Sequence, residues 1–205
     1  MVQCGLKMSI FDVCSQFKSA YGIDFQIGED CLDQVVLPGE LKGVVGLLRE
    51  KLTSNPFIVD AFACYGWNSV AMIDAFPSCS LIAVQNVRDA KCDTMLKDNL
   101  SASYEVKKVK CGALITVSRA ITEIWELDII KTKPVDLLVL DIPSDLLGGE
   151  TYDDASILEF VSAMLPPRSA SVTLKNVLLR LDGIGKISFE GFERKEHGKY
   201  VLFSV

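Results

Sequence analysis

The stretch Phe57-Ile-Val-Asp-Ala-Phe-Ala-Cys-Tyr-Gly-Trp-Asn68 decides the fold of this chain. It opens with an apolar run, typical of a strand covered by helices on both faces, and continues through Asp60 into a loop that contains Gly66. A helix is expected to begin near Asn68. A tight strand-to-helix turn lets the backbone, and the free N–H groups of the helix N-terminus, approach a ligand. The stretch therefore predicts a βα unit with a ligand-binding loop.

The rest of the chain alternates apolar runs with helical segments, as a parallel sheet requires. The predicted strands are Phe57–Phe62, Ser80–Gln85, Glu105–Lys110, Val135–Asp141 and Ser169–Lys175, and the predicted helices are Asn68–Phe76, Arg88–Ala102, Leu114–Ile130 and Asp153–Met164. Two further strand-like runs, Lys186–Glu193 and Lys199–Val205, are separated by a polar turn that contains Gly198. The pattern predicts an α/β fold with a mostly parallel seven-stranded sheet, helices on both faces and a C-terminal antiparallel hairpin.

The length and hydrophobicity of the chain favour a single domain. A chain of 205 residues, 49% of them hydrophobic, is long enough for one sizeable core. We expect residues 1–55 to form an N-terminal helical extension and residues 56–205 to form the α/β core. Asp60 and Asp74 interrupt the most apolar region before it reaches the length of a membrane span. With no signal peptide evident either, we expect no membrane contact and a cytoplasmic or nuclear location.

Cysteine and histidine usage excludes several kinds of site. The seven cysteines are scattered, without the close pairs that a zinc site needs, and His197 is the single histidine. We therefore expect reduced thiols, no metal, and no Ser-His-Asp or Cys-His hydrolase. The net charge of −6 argues against a general basic surface for nucleic acid, although it leaves a local groove open.

The segment Val59-Asp-Ala-Phe-Ala-Cys-Tyr-Gly-Trp-Asn-Ser69 resembles the first motif of trimethylguanosine-synthase-like methyltransferases, roughly Val-Asp-Ala-Phe-Cys-Gly-x-Gly-Gly-Asn-Thr. The similarity includes Val36-Leu-Pro-Gly-Glu40, Met95-Leu-Lys-Asp-Asn-Leu100, and Val139-Leu-Asp-Ile-Pro-Ser144 with Gly148, Gly149 and Tyr152. Relatives of this family occur in cells and in large DNA viruses. The resemblance implies a Rossmann-like class I methyltransferase fold, S-adenosylmethionine (SAM) as cofactor and RNA as substrate. It assigns cofactor binding to Asp60, Phe62, Cys64, Gly66, Trp67, Gln85 and Asp141.

Four residues depart from the pattern of that family. Cys64 replaces a glycine that lets the methionine part of SAM lie against the backbone, and Trp67 adds bulk beside it. Gln85 replaces the acid that accepts the ribose hydroxyls, and an uncharged amide accepts more weakly than a carboxylate. Ser144 stands where the family has an aromatic ring that stacks a base. These departures put cofactor binding and N-methylation of guanine in doubt.

A second resemblance is to the FtsJ-type RNA 2′-O-methyltransferases, which use a Lys-Asp-Lys-Glu tetrad. It rests on Val135-Asp-Leu-Leu-Val-Leu-Asp141, Ala163-Met-Leu-Pro-Pro167 and Ser171-Val-Thr-Leu-Lys175. The tetrad maps onto Lys42, Asp141, Lys175 and Glu196. The attacking 2′-hydroxyl must lose its proton, and a lysine amine accepts it only where burial and a second cation favour the neutral amine. Lys175 would be that base, Lys42 the neighbouring cation, and the two acids would orient the amines.

Two hypotheses follow from these residues. The first is SAM-dependent methyl transfer to RNA, at an mRNA cap or a ribose 2′-hydroxyl. The second is a methyltransferase-fold protein that has lost catalysis and acts as a binding or structural subunit, with a protein partner or a second copy of itself. The fold alone does not choose between them.

Overall fold

The computed structural model describes residues 8–85, 90–107, 114–117, 121–142, 154–167, 172–180 and 187–205. The helices are α1 (Ile10–Tyr21), α2 (Pro38–Lys51), α3 (Trp67–Ala75), α4 (Ala90–Lys107), α5 (Ile121–Ile124), α6 (Asp128–Lys131) and α7 (Asp154–Met164). The strands are β1 (Phe57–Asp60), β2 (Ser80–Val84), β3 (Leu114–Val117), β4 (Leu137–Asp141), β5 (Asn176–Arg180), β6 (Glu193–His197) and β7 (Tyr200–Ser204). A 3-10 turn, Glu29–Cys31, lies between α1 and α2.

The strands form one seven-stranded sheet in the order β3-β2-β1-β4-β5-β7-β6. Strands β1 to β5 run parallel, whereas β7 pairs antiparallel with both β5 and β6. The predicted fold class is therefore confirmed. The direction of chain progression reverses between β1 and β4, and in open sheets of this kind ligands bind outside the carboxyl ends of the strands at such a point.

Successive residues of the strands point to opposite faces of the sheet, and each face has its own helical cover. Ile58 and Val139 belong to the apolar cluster that includes residues of α1 to α4. Val59 and Leu138, each one position away, belong to the cluster that includes residues of α5 to α7. Burying each such side chain contributes roughly 1.5–3 kcal/mol, so burial on both faces explains the uninterrupted apolar runs of β1 and β4.

Local signals fix the N-terminal extension. Helix α1 begins with a capping box in which the Ser9 hydroxyl accepts from the Asp12 N–H and the Asp12 carboxylate accepts from the Ser9 N–H. It ends at Gly22, whose φ of 76° suits glycine. Phe17 stacks on Phe25 with ring centroids 4.0 Å apart. Both rings are buried in the cluster that covers the first face of the sheet.

The third strand lies later in the chain than the sequence predicted. The predicted strand Glu105–Lys110 is wrong in its described part, because α4 continues as far as Lys107. An ion pair between Lys107 and Asp74 of α3 stabilises that last turn. The strand is instead Leu114–Val117, and the predicted helix Leu114–Ile130 reduces to the two short helices α5 and α6. A short β-branched run has no period that separates a strand from a buried helix.

The fifth strand also lies later, at Asn176–Arg180 rather than Ser169–Lys175. The prediction followed the alternating residues before Lys175 and overlooked the run Val177 to Leu179, which is buried from both sides. A continuous run of this kind is typical of a parallel strand. This correction moves Lys175 from the carboxyl end of the strand to the position before its amino end.

The terminal hairpin is confirmed, with Gly198 at φ 57° in the turn between β6 and β7. The predicted first strand, Lys186–Glu193, is wrong in its described part, because residues 187–192 form no strand and the strand is instead Glu193–His197. Across the described part of the chain, every helix falls short of the length and apolar character that crossing a bilayer demands. Several residues of the resemblances also lie outside the described ranges: Pro143, Ser144, Gly148, Gly149, Tyr152 and Ser171.

Candidate functional site

The candidate site is the carboxyl edge of the sheet around the β1–β4 reversal. Asp60 ends β1, Gln85 follows β2, and Asp141 ends β4 opposite Arg180 at the end of β5. Asp60, Gln85 and Asp141 are each at most 4% exposed. The sequence predicted the first three of these at strand ends, and the structure places them there.

The loop after β1 takes an unusual backbone path. Cys64 has a φ of 48°, a left-handed conformation that a non-glycine residue rarely adopts, and Gly66 has a φ of 90° where α3 begins. A Cβ on Gly66 would come within 2.9 Å of the Leu96 side chain. Gly66 is therefore required by its own backbone conformation, and a side chain at this position would also displace the end of the Leu96 side chain of α4. Cys64 occupies a position whose backbone conformation also favours glycine.

Asp60 is fully buried beneath this loop and is held by Ser69 of α3. The Ser69 hydroxyl donates to Asp60 Oδ2 at 2.6 Å. Burial raises the pKa of Asp60 to about 7, and the nearby Asp141 adds to this, while the hydrogen bonds from Ser69 act in the opposite direction. Phe62, two residues on, is 4% exposed and packs in the core on the second face of the sheet. Its ring supports the loop from within the core.

Asp141 is the centre of a buried polar network. Its carboxylate accepts hydrogen bonds from the indole Nε1 of Trp67 and the amide Nδ2 of Asn68, both at 2.7 Å. Arg180 Nη1 donates to the other carboxylate oxygen, also at 2.7 Å. The Tyr200 hydroxyl donates to Asn68 Oδ1 at 2.9 Å, and burial together with the Asp141 charge raises the pKa of Tyr200. The first turn of α3 therefore connects the ends of β1 and β4, because Ser69 bonds Asp60 while Trp67 and Asn68 bond Asp141. Its side chains fill the space between these two strand ends.

Trp67 is part of this buried network and does not line an open cofactor pocket. The sequence placed it beside the cofactor, but it is the first residue of α3, 3% exposed, and committed to Asp141. The indole and the guanidinium together occupy both oxygens of the carboxylate. Asp141 consequently acts as a fixed acceptor inside the protein.

Gln85 is turned inward at the end of β2. Its Nε2 donates to the Cys64 carbonyl at 3.1 Å and to Cys92 Sγ at 2.9 Å. The Cys64 sulfur lies 3.6 Å from the sulfur of Cys31. Hydrogen bonding with the Cys31 and Cys92 thiols, together with burial, raises the pKa of Cys64, so its thiol stays protonated. Sulfur and amide groups of the chain thus fill the space between the loop and the end of β2.

The N-terminal extension is anchored to the same loop through Asn99 of α4. The Asn99 amide donates to the carbonyls of Gln26 and Tyr65, both at 2.8 Å, and its oxygen accepts from the Gln26 N–H at 2.7 Å. The Tyr65 hydroxyl donates to Asp30 at 3.2 Å. Residues of the extension therefore form one side of the site.

Comparison with solved structures identifies the architecture. A delta-N METTL16 methyltransferase domain superposes with a TM-score of 0.61 at 13% identity, covering 93% of this chain and 92% of that chain. The chain has the fold of the class I SAM-dependent methyltransferases. Precorrin-6y C5,15-methyltransferase from Geobacter metallireducens GS-15 gives 0.51 at 12% identity over 88% and 93% of the two chains. The N-terminal domain of human METTL16 in complex with SAH gives 0.51 at 11% identity over 94% and 79%.

These likenesses are structural. No protein-family profile matches the chain, and no curated protein matches it in sequence. The fold is one on which SAM-dependent methylation is carried out, and SAM is the cofactor against which the site has to be tested.

The side chains at the carboxyl edge, as they stand, do not fit SAM. A ribose diol is best held by a carboxylate, but Gln85 offers a single uncharged amide oxygen, on a side chain that is 2% exposed and held inward because its Nε2 donates to the Cys64 carbonyl and to Cys92 Sγ. A close approach to the backbone needs a glycine, but position 64 carries a thiol in contact with Cys31. Both oxygens of Asp141 already accept hydrogen bonds inside the protein, from Trp67, Asn68 and Arg180. The retained features are Asp60, Gly66 and the helix that follows them.

The four residues of the predicted tetrad are not brought together. Lys175 precedes β5, its N–H bonds the Val135 carbonyl, and its amine pairs with Asp136 at 2.7 Å. Asp141 lies at the other end of β4, six residues beyond Val135, which is roughly 20 Å along a strand. That separation exceeds the reach of the two side chains, so Lys175 cannot act on a group held near Asp141.

The other two tetrad residues lie on the outside of the molecule. Lys42 is exposed on α2, and Glu196 is exposed on the edge strand β6, where it pairs with Arg194. His197, next to Glu196, packs against α2 so closely that a Cβ on Gly43 would meet its ring. The catalytic assignment carried by the FtsJ-type resemblance therefore has no common site in the structure.

Sequence reasoning missed the residues that complete the site. Arg180 escaped notice because the fifth strand was placed too early, although an arginine after the apolar run Val177 to Leu179 was a detectable signal. Asn99 and Cys92 come from α4 and Cys31 from the extension, and no local pattern predicts which side chains the fold brings to a loop. Tyr200, in the last strand, is likewise brought to the site by the fold and not by a local sequence pattern.

Proposed function

We propose that this chain is a methyltransferase-fold protein whose cofactor and catalytic positions are filled by its own side chains, and that it acts as a binding or structural subunit. The observation that carries the proposal is the inward orientation of Gln85. Its Nε2 donates to the Cys64 carbonyl at 3.1 Å and to Cys92 Sγ at 2.9 Å, so the side chain, 2% exposed, is held against the loop instead of facing a ligand. The partner is a protein or a second copy of the chain.

Two further features support this proposal. The Asp141 carboxylate receives Trp67, Asn68 and Arg180 at 2.7 Å each, which leaves it a structural anchor in a buried position. Lys175, the base required for transfer to a 2′-hydroxyl, pairs with Asp136 at the opposite edge of the sheet. Both features remove groups that methyl transfer to RNA would require.

A second candidate is SAM-dependent methyl transfer to RNA, at a cap or a ribose 2′-hydroxyl. The backbone of the loop favours it, since Cys64 and Gly66 keep left-handed conformations and Gly66 leads directly into α3. The buried Asp60 below the loop also matches the resemblance. This candidate requires Gln85 and Cys64 to rearrange so that a cofactor can enter.

Titration of the full chain with SAM and with SAH, followed by thermal shift and calorimetry, separates the two candidates. A ligand that binds only the native state at 100 times its Kd stabilises it by about 2.7 kcal/mol, which raises the Tm of a chain of this size by roughly 5–10 °C. We expect no shift at millimolar SAM. A saturable shift, together with transfer of labelled methyl from SAM to capped RNA, would refute the proposal in favour of the second candidate.

A designed variant tests the reason for the expected failure to bind. Cys64→Gly with Gln85→Glu removes the thiol and restores a carboxylate acceptor, so we expect measurable SAM binding. Gln16→Glu is the matched control, because it adds the same charge on the exposed face of α1. Circular dichroism establishes that each variant is folded. A folded double variant without affinity for SAM would mean that Cys64 and Gln85 are not what excludes the cofactor.

A further inference from the structure

Two cysteines from distant parts of the chain meet beside the candidate site. Cys31 ends the 3-10 turn of the extension, and Cys64 lies in the loop after β1. Their sulfur atoms are 3.6 Å apart although 33 positions separate them. Both residues are partly exposed, whereas Cys79 and Cys92 are buried. A disulfide requires a sulfur–sulfur distance of about 2.05 Å, so the two atoms have only ~1.5 Å left to close.

We propose that Cys31 and Cys64 are an oxidation site that takes a peroxide as oxidant and forms a reversible disulfide. Cys31 loses its thiol proton and the thiolate attacks one oxygen of hydrogen peroxide. The O–O bond breaks, the leaving hydroxide takes up that proton and becomes water, and Cys31 becomes a sulfenic acid. Cys64 sulfur then attacks the Cys31 sulfur, the S–O bond breaks, and the hydroxyl leaves as water with the thiol proton of Cys64. In total, two thiols and one peroxide give one disulfide and two waters.

The contacts indicate that Cys31 reacts with the peroxide and that Cys64, and not Cys92, forms the disulfide with it. Hydrogen bonding with the Cys31 and Cys92 thiols, and burial, raise the pKa of Cys64, which keeps it protonated and suits it to the second step. Cys92 is a poorer partner because it is 4% exposed and its sulfur accepts the Gln85 amide at 2.9 Å. Among the described residues, no group of three histidine, cysteine or acidic side chains is arranged to hold a metal ion. These thiols are therefore assigned to oxidation rather than to metal binding.

The bridge would fix the extension against the loop. Asn99 already joins Gln26 of the extension to Tyr65 of the loop, and the Tyr65 hydroxyl donates to Asp30, the neighbour of Cys31. These contacts hold the two thiols in position before oxidation. The disulfide would close a long loop and constrain the unfolded chain, so the oxidised protein should be more stable. This inference is independent of whether the protein transfers methyl groups.

Peptide mapping of the full chain tests the proposal. The protein is treated with a small molar excess of hydrogen peroxide, denatured, alkylated, digested without reductant and analysed by mass spectrometry. We expect one linked pair of peptides, carrying Cys31 and Cys64, and five alkylated thiols of the seven in the chain. Oxidation should raise the Tm by roughly 5–10 °C, and dithiothreitol should reverse both changes.

Serine variants test whether Cys31 and Cys64 themselves form the disulfide. Cys31→Ser and Cys64→Ser should abolish both the linked peptide and the Tm increase. Cys14→Ser should retain both, since Cys14 is also partly exposed but its thiol donates to the Phe25 carbonyl. If Cys64→Ser does not fold, the absence of the linked peptide and of the Tm increase in Cys31→Ser is the test. A Cys64–Cys92 bridge, or seven alkylated thiols after treatment, would overturn the proposal.

Discussion

Replacing Asp141 with alanine should destabilise the protein severely, because this carboxylate is the common acceptor of three buried donors. It is 4% exposed, and Trp67, Asn68 and Arg180 each donate to it at 2.7 Å. The Arg180 side chain is itself only 11% exposed. The substitution leaves a guanidinium, an indole N–H and an amide without their acceptor, in a region that water reaches poorly.

The expected magnitude follows from these contacts. Breaking a buried ion pair by removing one partner costs about 3–5 kcal/mol. An unsatisfied neutral donor adds about 1–3 kcal/mol, although water entering the vacated space offsets part of it. We therefore expect Asp141→Ala to lose about 4–6 kcal/mol of the free energy of unfolding. Domains of this size have about 5–15 kcal/mol in total, so the variant should lie close to the limit of folding.

Urea unfolding, monitored by circular dichroism, measures this loss, and a double-mutant cycle with Arg180→Met locates it. Removing both charges leaves no guanidinium that has lost its carboxylate, so the double variant should lose at least ~2 kcal/mol less than the sum of the two single losses. Asp33→Ala, on an exposed residue, is the control and should stay within about 0.5 kcal/mol of the wild type. A loss below about 1 kcal/mol for Asp141→Ala, or additive single losses, would refute the reasoning.

Two further predictions concern other parts of the sheet. The raised pKa of Asp60, about 7, means that the native protein binds more protons than the unfolded chain between about pH 4 and pH 7, so the free energy of unfolding should fall as pH rises through that window. Asp60→Asn should remove about 2.5 kcal/mol of this pH dependence in urea titrations between pH 5 and pH 8, and parallel wild-type and variant curves would contradict it. Lys175→Ala should cost less than about 1 kcal/mol, because Lys175 is 51% exposed and its pair with Asp136 is solvent-screened; a larger loss by the same assay would assign it a structural role.

The sequence predicted those parts of the fold whose position depends on a single local property, such as an uninterrupted apolar run. Strands β1, β2 and β4 are short apolar runs covered on both faces, and their positions were predicted to within a few residues. Strand β3 and the end of α4 were missed, because the ion pair of Lys107 with Asp74 that holds the last helical turn forms only in the folded protein. The position of β5 was missed because two adjacent segments both resembled strands.

The sequence predicted where the candidate site lies, but not which side chains contact one another there. Strand ends located Asp60, Gln85 and Asp141, since carboxyl ends of parallel strands meet at one edge. The partners of these residues come from α3, α4, β5 and the extension, and their choice depends on helix rotation and strand register. A displacement of five residues in β5 was enough to exchange Lys175 for Arg180 as the residue at that edge.

The departures from the methyltransferase pattern are coupled to one another in space. Gln85 donates to the carbonyl of Cys64, the Cys64 thiol contacts Cys31, and Trp67 donates to the Asp141 carboxylate. Restoring an acid at position 85 alone would leave the Cys64 thiol, in contact with Cys31, where the methionine part of SAM needs to lie. Restoring glycine at position 64 alone would leave the inward amide in place. Because Gln85 is held by the loop at Cys64 and Trp67 is held by Asp141, the filled site is a packed arrangement in its own right, and changes at both position 64 and position 85 are needed to reopen it.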